Sequence, residues 1–248
     1  MSMKIKLLIM AASIISLPLA SNAQKGSLQA GAHAGVNISK LCCGSMTINE
    51  DYKFGEGPAF GITAAYGFNN ILSLAAELNY TTMGGKKNGI QAISGYGSNG
   101  TLYANFDNKT VLNYLELPVM ARVTFGKAFR YYANLGIFGS YLLSAKNETS
   151  GSSALYKDAN GTQVYDGTKV SFDKNTDIKS QVKDFNFGFV GGLGAGYTFG
   201  QHGIWLDGRY VMGMPNIREN TAINGENSTG SIMATVGYTY TFNTGKKE

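Results

Sequence analysis

The sequence predicts an all-β fold, an eight-stranded antiparallel up-and-down transmembrane β-barrel. Three observations support this prediction. About eight stretches of roughly ten residues alternate apolar and polar side chains, the pattern of a strand with two different faces. The connections between these stretches are alternately long and short, as in barrels that cross an outer membrane. Beyond the N-terminal segment there is no run of about 18 apolar residues, so helical membrane spans are not predicted.

Residues 113–125 show the strand pattern most clearly. Apolar side chains alternate there with more polar ones that include Glu116 and Arg122. The stretch is long enough to cross a bilayer, which takes about 9–11 residues of a tilted strand. One face is hydrocarbon and the other carries charge, so we expect this strand to separate lipid from a polar interior.

The other strands follow the same pattern. They are predicted over residues 28–38, 59–68, 72–81, 130–143, 185–199, 204–212 and 232–242. Short turns are predicted at residues 69–70, 126–128 and 200–202, and long polar loops at about 39–57, 84–110, 145–183 and 215–229. Every long loop then falls at one end of the barrel, which is the external end, and both termini are periplasmic.

Two barrels share this topology, and they differ in which face points outward. A soluble lipocalin-type barrel points its apolar face inward, whereas a membrane barrel points it at lipid. The polar face of residues 185–199 is almost entirely glycine, as a crowded narrow interior requires. Aromatic residues also gather near the predicted strand ends, where two membrane interfaces would lie. Both observations favour the membrane barrel.

The N-terminus predicts export. Lys4 and Lys6 precede an apolar stretch, and a small-residue cleavage site ends at Ala23, so residues 1–23 read as a signal peptide cleaved after Ala23. Residues 24–248 are then one barrel domain in the cell outer membrane. The adjacent Cys42 and Cys43 are interpreted as loop thiols without a catalytic role, because vicinal disulfides are strained and no further metal ligands lie near them.

Charged side chains on the predicted inner faces are the candidate site residues. They are Glu77, Glu116, Arg122, Arg130, Asp207 and Arg209. Three acids and three bases in a narrow lumen can pair and offset the cost of burial. One interpretation is a polar conduit; the other is a closed interior in which these pairs stabilise the barrel. An eight-stranded barrel has little more room than its side chains fill, which favours the closed interior.

No catalytic, metal or cofactor site is predicted. His33 lies within the first strand and His202 in a periplasmic turn, so neither is placed to act as a base at the external surface. The formal net charge is +5, yet no basic cluster with interleaved aromatics indicates nucleic acid. The expected partners are outer-membrane lipid and an unidentified ligand of the external loops, whose polar sequences contain scattered tyrosine and phenylalanine. A monomer is expected.

One motif in the central strand carries a family resemblance. It consists of Tyr114, Leu115, Glu116, Leu117 and Pro118. With the later Gly208-Arg209-Tyr210, it resembles the PorT-like, or porin-family, outer-membrane β-barrel proteins of Gram-negative bacteria. The resemblance covers nearly the whole chain after the signal peptide. It implies an eight-stranded outer-membrane barrel and no defined transport activity. One departure is that residues 243–248 follow the final aromatic residue, Phe242.

The sequence therefore predicts an outer-membrane barrel with a side-chain-filled interior. It would act as an envelope component or bind a partner through its external loops. The alternatives are a narrow porin-like channel for small solutes or ions and an outer-membrane enzyme. Pro118 offers a structural check, because a residue without an N–H inside a closed barrel predicts a bulge or a missing ladder bond.

Overall fold

The computed structural model describes residues 26–43, 53–93, 101–219 and 227–243. The predicted signal peptide, residues 1–23 with cleavage after Ala23, lies outside the described residues, and so do the side chains of Cys42 and Cys43. Among the described residues, no helix has the length and hydropathy needed to cross a membrane.

The described chain consists almost entirely of strands. In chain order they are β1 Ser27–Cys43, β2 Lys53–Gly67, β3 Leu72–Ile93, β4 Leu102–Gly126, β5 Phe129–Ser150, β6 Ser152–Tyr156, β7 Val164–Ser171, β8 Lys174–Asp177, β9 Phe185–Phe199, β10 His202–Gly213 and β11 Asn227–Asn243. A single 3-10 turn, Lys179–Gln181, lies between β8 and β9 in the described chain.

Eight of these strands close into a ring. Each of β1 to β4 pairs antiparallel with the next strand, β5 pairs with β9, and the ring continues through β10 and β11 back to β1. The predicted fold class is confirmed. Because every wall strand has two partners, the wall has no free edge, which is the condition for a sheet to cross a bilayer.

The short turns lie where the sequence predicts them. Asn69 Oδ1 accepts hydrogen bonds from the backbone N–H groups of Ile71 and Leu72 at 2.8 and 2.7 Å and so holds the β2–β3 turn. Gly126 and Gly200 begin the other two turns with φ of +97° and +63°, values that favour glycine.

Three predicted loops are partly wrong in their secondary structure. Within residues 39–57, β1 continues to Cys43 and β2 begins at Lys53, so the backbone of Cys42 and Cys43 lies in a strand and not in a loop. Residues 84–110 were expected to form a loop, but β3 continues to Ile93 and β4 begins at Leu102, so most of the segment is a hairpin that extends the wall outward. Residues 145–183 contain the end of β5 together with β6, β7 and β8. These strands extend past the membrane-crossing part of the wall and are polar on much of their surface. They therefore lack the alternation that marks a wall strand.

The apolar faces of the wall strands point outward. Leu135 and Leu193 are each 71% exposed, and their neighbours on the same faces are similarly bare, whereas Glu77 and Arg209 are 2% and 3% exposed. This arrangement excludes the lipocalin-type alternative. The inward glycines are close-packed: a Cβ on Gly194 would overlap the Tyr132 ring.

Aromatic residues form a band around each end of the wall. Near the short turns the rings contact one another, for example Tyr240 and Phe242 with centroids 4.9 Å apart and Phe129 and Tyr197 at 5.7 Å. At the other end Phe60 stacks on Tyr80 at 5.0 Å. Two aromatic bands on either side of an apolar belt are typical of membrane barrels, where they lie at the two interfaces.

The wall is irregular at Pro118, as predicted. On the β3 side, the paired residues jump from Ala76–Val119 to Asn79–Glu116, so the ladder is interrupted opposite Pro118. The pairing with β5 continues through Pro118 without a shift. The residue without an N–H therefore lacks a ladder partner on β3, while the register with β3 and with β5 stays the same on either side of Pro118.

Candidate functional site

The middle of the lumen contains a buried ion network centred on Arg209. Its guanidinium donates from Nη1 and Nη2 to the two carboxylate oxygens of Glu77, at 2.6 and 3.2 Å, and from Nε to Oδ1 of Asp207 at 2.6 Å. The three side chains are at most 1% exposed. A fork-shaped cation that holds two carboxylates in this way satisfies most of the hydrogen-bonding capacity that burial removes from water.

The network continues across the lumen through an amide. Asn134 donates from Nδ2 to Oδ2 of Asp207 at 3.2 Å and accepts from Nε of Arg122 at 2.9 Å. The Arg122 guanidinium lies 4.3 Å from the centroid of the Tyr132 ring. Side chains of β3, β4, β5 and β10 are thereby tied together inside the barrel, which stabilises its closed shape.

The structure brings four of the six predicted residues into this network and leaves two outside it. Glu116 is 1% exposed, but neither of its carboxylate oxygens has a hydrogen-bond partner among the described residues. Arg130 lies at the turn end of the lumen, where its Nε donates to the backbone carbonyl of Lys127 at 3.1 Å. The sequence predicts that the acids and bases of the lumen pair; in the structure Arg209 is the partner of Glu77.

Uncharged members of the network were missed from the sequence. Asn134 and Tyr132 follow the inward alternation of β5, so the sequence predicts that their side chains point into the lumen. Nothing in the sequence shows that Asn134 bridges Arg122 to Asp207. His33 also lies inside, with Nε2 3.8 Å from Oε2 of Glu77 and its ring 5.5 Å from that of Trp205.

The outer half of the lumen is filled by a buried cluster of apolar side chains, here called the plug. It comprises Leu41, Met83, Leu112, Tyr114, Met120, Phe138, Leu142, Ala145, Val182, Val190, Val211 and Ile217. Val182 and Ile217 come from the connections outside the wall. These connections are held together by hydrogen bonds from Lys183 N to Ile217 O at 2.7 Å and from Glu219 N to Gln181 O at 3.1 Å. The plug closes the external mouth.

The inner half of the lumen is a cavity, here called the vestibule, of about 830 Å³ that opens at the short-turn end. It extends inward to Arg122 and Trp205, and its lining includes no plug residue. Because short turns are periplasmic in outer-membrane barrels, the vestibule opens to the periplasm and ends blindly at the network.

A second small core, here called the outer layer, lies beyond the external mouth. It is formed by the outer ends of β3 and β4 with β6 and β7. Its buried side chains are Leu102, Ala104 and Leu155, against which Ile93, Phe106, Val170 and Phe172 pack. The rings of Phe106 and Phe172 stack with centroids 4.7 Å apart. This external part is therefore a folded sheet with its own apolar interior.

Catalytic groupings are sparse in the described residues. No group of three or more His, Cys, Asp or Glu side chains there is arranged to hold a metal ion. His202 lies on the outside of the wall, stacked on Phe199 at 5.6 Å and hydrogen-bonded to Tyr238, and His33 is buried beside Glu77. Neither histidine has a serine or cysteine as its hydrogen-bond partner among these residues.

A closed barrel with an apolar belt facing outward, two aromatic bands and a buried ion network in its lumen is typical of an integral outer-membrane protein. The family model described as the outer membrane protein beta-barrel domain matches residues 22–219, and the chain belongs to this family. The family places the protein in the cell outer membrane. No curated protein matches the sequence.

Several solved outer-membrane barrels are similar in fold. Ail, the attachment invasion locus protein of Yersinia pestis, solved with the heparin analogue sucrose octasulfate, is 11% identical, with a TM-score of 0.36 over 88% of this chain and 100% of that one. Neisserial surface protein A is 14% identical, with a TM-score of 0.37 over 90% and 100%. A major outer membrane protein from Thermus thermophilus is 12% identical, with a TM-score of 0.38 over 88% and 100%.

Proposed function

We propose that this protein is a non-conducting barrel of the outer membrane that presents the outer layer to the exterior as a binding surface. The observation that carries the proposal is the plug. A barrel that conducts solutes keeps a continuous polar path, whereas here buried leucine, methionine, valine and tyrosine side chains close the external mouth. The protein would be exported by a signal peptide, residues 1–23, and act as a monomer whose barrel domain spans residues 24–248.

The energetics of the plug support a closed resting state. Each large apolar side chain withdrawn from water contributes about 1.5–3 kcal/mol. Opening a water path would hydrate several of the twelve plug residues at once and would also break the contacts of Val182 and Ile217 with the wall. Below the plug, the path would still have to cross the Arg209 network. These two obstacles in series argue against the narrow porin-like channel.

The outer layer is suited to binding. It has an apolar interior, so its shape is maintained without the membrane. Strand β7 lies at the end of the sheet order, with one edge unpaired within the described chain, and exposes Val164 at 55% and Tyr165 at 52%. Exposed aromatic and β-branched side chains on a sheet edge are typical contact residues for a protein or peptide partner.

The PorT-like assignment is part of the same proposal. The charged residues that carry the resemblance lie in the lumen, where Glu116 is buried and Arg209 organises the ion network, whereas Leu115 and Tyr210 face outward. Because the charged residues of this motif stabilise the interior, we expect the motif to indicate a shared type of barrel and not a shared activity. An enzymatic role is not proposed, because the buried position of His33 and the lipid-facing position of His202 give neither access to an external substrate.

Planar-bilayer recording of the purified, refolded protein tests the closed-barrel proposal. We expect no stepwise conductance from the wild-type chain, because the plug blocks ions. A matched variant, Ile217→Gly with Val182→Gly, removes the two side chains that the external connections contribute and should increase leak events. Reproducible conductance steps from the wild-type protein, more frequent in samples with a larger refolded fraction, would show an open channel and overturn the proposal.

A further inference from the structure

The vestibule is lined by positive charge. Arg122, Lys127 and Arg130 face it, and no Asp or Glu side chain of the described chain is among its lining residues. The remainder of the lining is hydroxyls, amides, glycines, a few aromatic rings and the apolar side chains of Ala65, Ile71 and Ile204. A blind cavity with cationic groups and hydrogen-bond donors presents a favourable environment to an anion.

Arg122, at the deep end, makes no direct ion pair within the described residues. Within the described residues, the buried ion pairs of the lumen link Glu77 and Asp207 to Arg209 and His33, and none reaches Arg122. Its contacts are the amide oxygen of Asn134 and the face of Tyr132. Arg122 is only 8% exposed, and the network links it to an acid, Asp207, only through the amide of Asn134.

Two donors on residues that line the vestibule also lack acceptors in the part of the chain that the structure describes. Nη2 of Arg122 and Nε1 of Trp205 are buried and have no hydrogen-bond partner there, and both residues line the vestibule. Trp205 is 6% exposed. Buried N–H groups are nearly always paired in folded proteins, so an unpaired donor on a cation at the deep end, with a second unpaired donor elsewhere in the same lining, indicates a cavity suited to an acceptor with negative charge.

The other two cations lie at the entrance. Lys127 lies in the β4–β5 turn and Arg130 is the second residue of β5. Arg122 precedes Gly126 by four residues on β4, a distance of roughly 13 Å along a strand. An anion that approaches from the periplasm therefore meets the entrance cations first and Arg122 last. Such an arrangement raises the local anion concentration and the rate of entry.

We propose that the vestibule binds a phosphate-type oxyanion, with Arg122 as its principal ligand and Trp205 as a second donor. A guanidinium matches the oxygens of phosphate with two parallel hydrogen bonds, and the tetrahedral anion has further oxygens to accept from Trp205. The group has two possible sources, phosphate or a phosphate ester free in the periplasm, or the headgroup of an inner-leaflet phospholipid. This site is separate from the outer layer and does not depend on its role.

Isothermal titration of the refolded full chain in a phosphate-free, non-ionic detergent tests the site, with inorganic phosphate as the probe. We expect saturable binding to one site. Arg122→Gln should weaken it by roughly tenfold or more, because a charge-assisted pair of hydrogen bonds is lost. Arg130→Gln combined with Lys127→Gln should weaken it several-fold, and Arg122→Lys should retain part of the affinity. The matched control Lys174→Gln removes an exposed charge on β8 and should bind as the wild type does.

A second arm separates the two sources. A water-soluble short-chain phosphatidylglycerol is titrated in place of phosphate and then in competition with it. Competition by the lipid assigns the site to headgroups, and binding of phosphate alone assigns it to the free anion. If neither probe binds the wild-type protein, or if Arg122→Gln and the entrance double variant bind as tightly as wild type while migrating as folded barrels on unheated gels, the proposal is overturned.

Discussion

The two halves of the lumen lie within the same eight-stranded wall, yet one is packed with side chains and the other keeps a cavity. The outer half is filled with apolar side chains, two of them supplied by external connections. The inner half keeps a cavity of about 830 Å³ bounded by cations and amides. Between them the Arg209 network ties strands from both sides of the barrel. The difference indicates that the wall alone does not determine what the interior does: the inward residues of each half, and the loops that reach them, decide.

Breaking the central network should have the largest effect on stability. Glu77→Ala leaves Arg209 buried with only Asp207 as an acid partner among the described residues, and removal of one member of a buried ion pair costs about 3–5 kcal/mol. Urea unfolding in lipid vesicles, followed by the loss of the compact gel form, measures the change. The control is Glu56→Ala, which removes an acid that pairs with Lys86 at the exposed surface, and it should unfold as the wild type does. Equal stability of Glu77→Ala and wild type would show that the network does not hold the barrel.

Enlarging a cavity in the plug should have a somewhat smaller effect. Leu112 is fully buried, so Leu112→Ala is expected to lower the free energy of unfolding by about 2–5 kcal/mol. Leu135→Ala is the matched control: this leucine faces outward, and lipid can fill the space that the substitution leaves. The same unfolding assay should show a change well below that of Leu112→Ala. Similar losses for both variants would mean that the outer half is not tightly packed.

Glu116 sharpens the comparison because it is buried without being part of the network. Glu116→Gln keeps the shape and removes a group whose two oxygens have no hydrogen-bond partner in the described chain, so we expect a change within about 1 kcal/mol, of either sign. Glu77→Gln, which breaks a bidentate pair, is the contrast and should be clearly destabilising. Equal destabilisation by the two substitutions would place Glu116 inside the network after all.

The smallest expected effect is confined to the outer layer and leaves both halves of the lumen intact. Backbone N–H groups of Gln163, Thr162 and Asn160 donate to the Asp158 carboxylate, which lowers its pKa below the ordinary value of 3.8. The ionised form is therefore the one the folded turn prefers. The ionised Asp158 carboxylate stabilises the turn fully above the pKa of the unfolded chain, about 4. This stabilisation is lost as pH falls through the lower pKa of the folded state.

Limited proteolysis of the outer layer, assayed with an acid protease, follows this turn. Cleavage near residues 157–163 should increase as pH falls below about 4, and Asp158→Ala should show the increased cleavage at every pH at which the protease works. The barrel itself should stay intact in both cases, as judged by its gel form. A pH-independent pattern in the wild-type chain would show that the Asp158 hydrogen bonds do not hold the turn.

The fold was predictable because each wall strand faces two solvents. Lipid on one side and the lumen on the other require side chains that alternate with a period of two. The alternation with neighbouring residues is therefore enough to predict that Leu135 and Leu193 face outward. The hairpin beyond Gly84 and strands β6 to β8 were not predictable by the same means. They stand outside the lipid, where no alternating apolar face is required, and they appear in the sequence as polar loops.

The interior site was predictable as a set of residues and not as a set of pairs. Alternation alone pointed Glu77, Arg122, Asp207 and Arg209 inward. Which of them meet depends on the strand order and the stagger of the closed barrel: Glu77 and Arg209 are 132 residues apart in the chain. A side-chain-filled interior was predicted, and the plug fills only the outer half, because the inner half is the vestibule. The contribution of Val182 and Ile217 was missed, because they lie in connections that gave no sign of folding back into the external mouth.

Sided labelling of one vestibule position tests the central claim, that the lumen is closed at its outer half and open at its inner half. Thr239→Cys, in a background with Cys42→Ser and Cys43→Ser, places a single thiol in the lining of the vestibule. The protein is inserted into vesicles with the outer layer outward, and a small charged thiol reagent is added outside. We predict no labelling until the vesicles are opened by freezing and thawing, and rapid labelling afterwards. Labelling at the same rate before and after opening would show a continuous path through the plug and contradict the account.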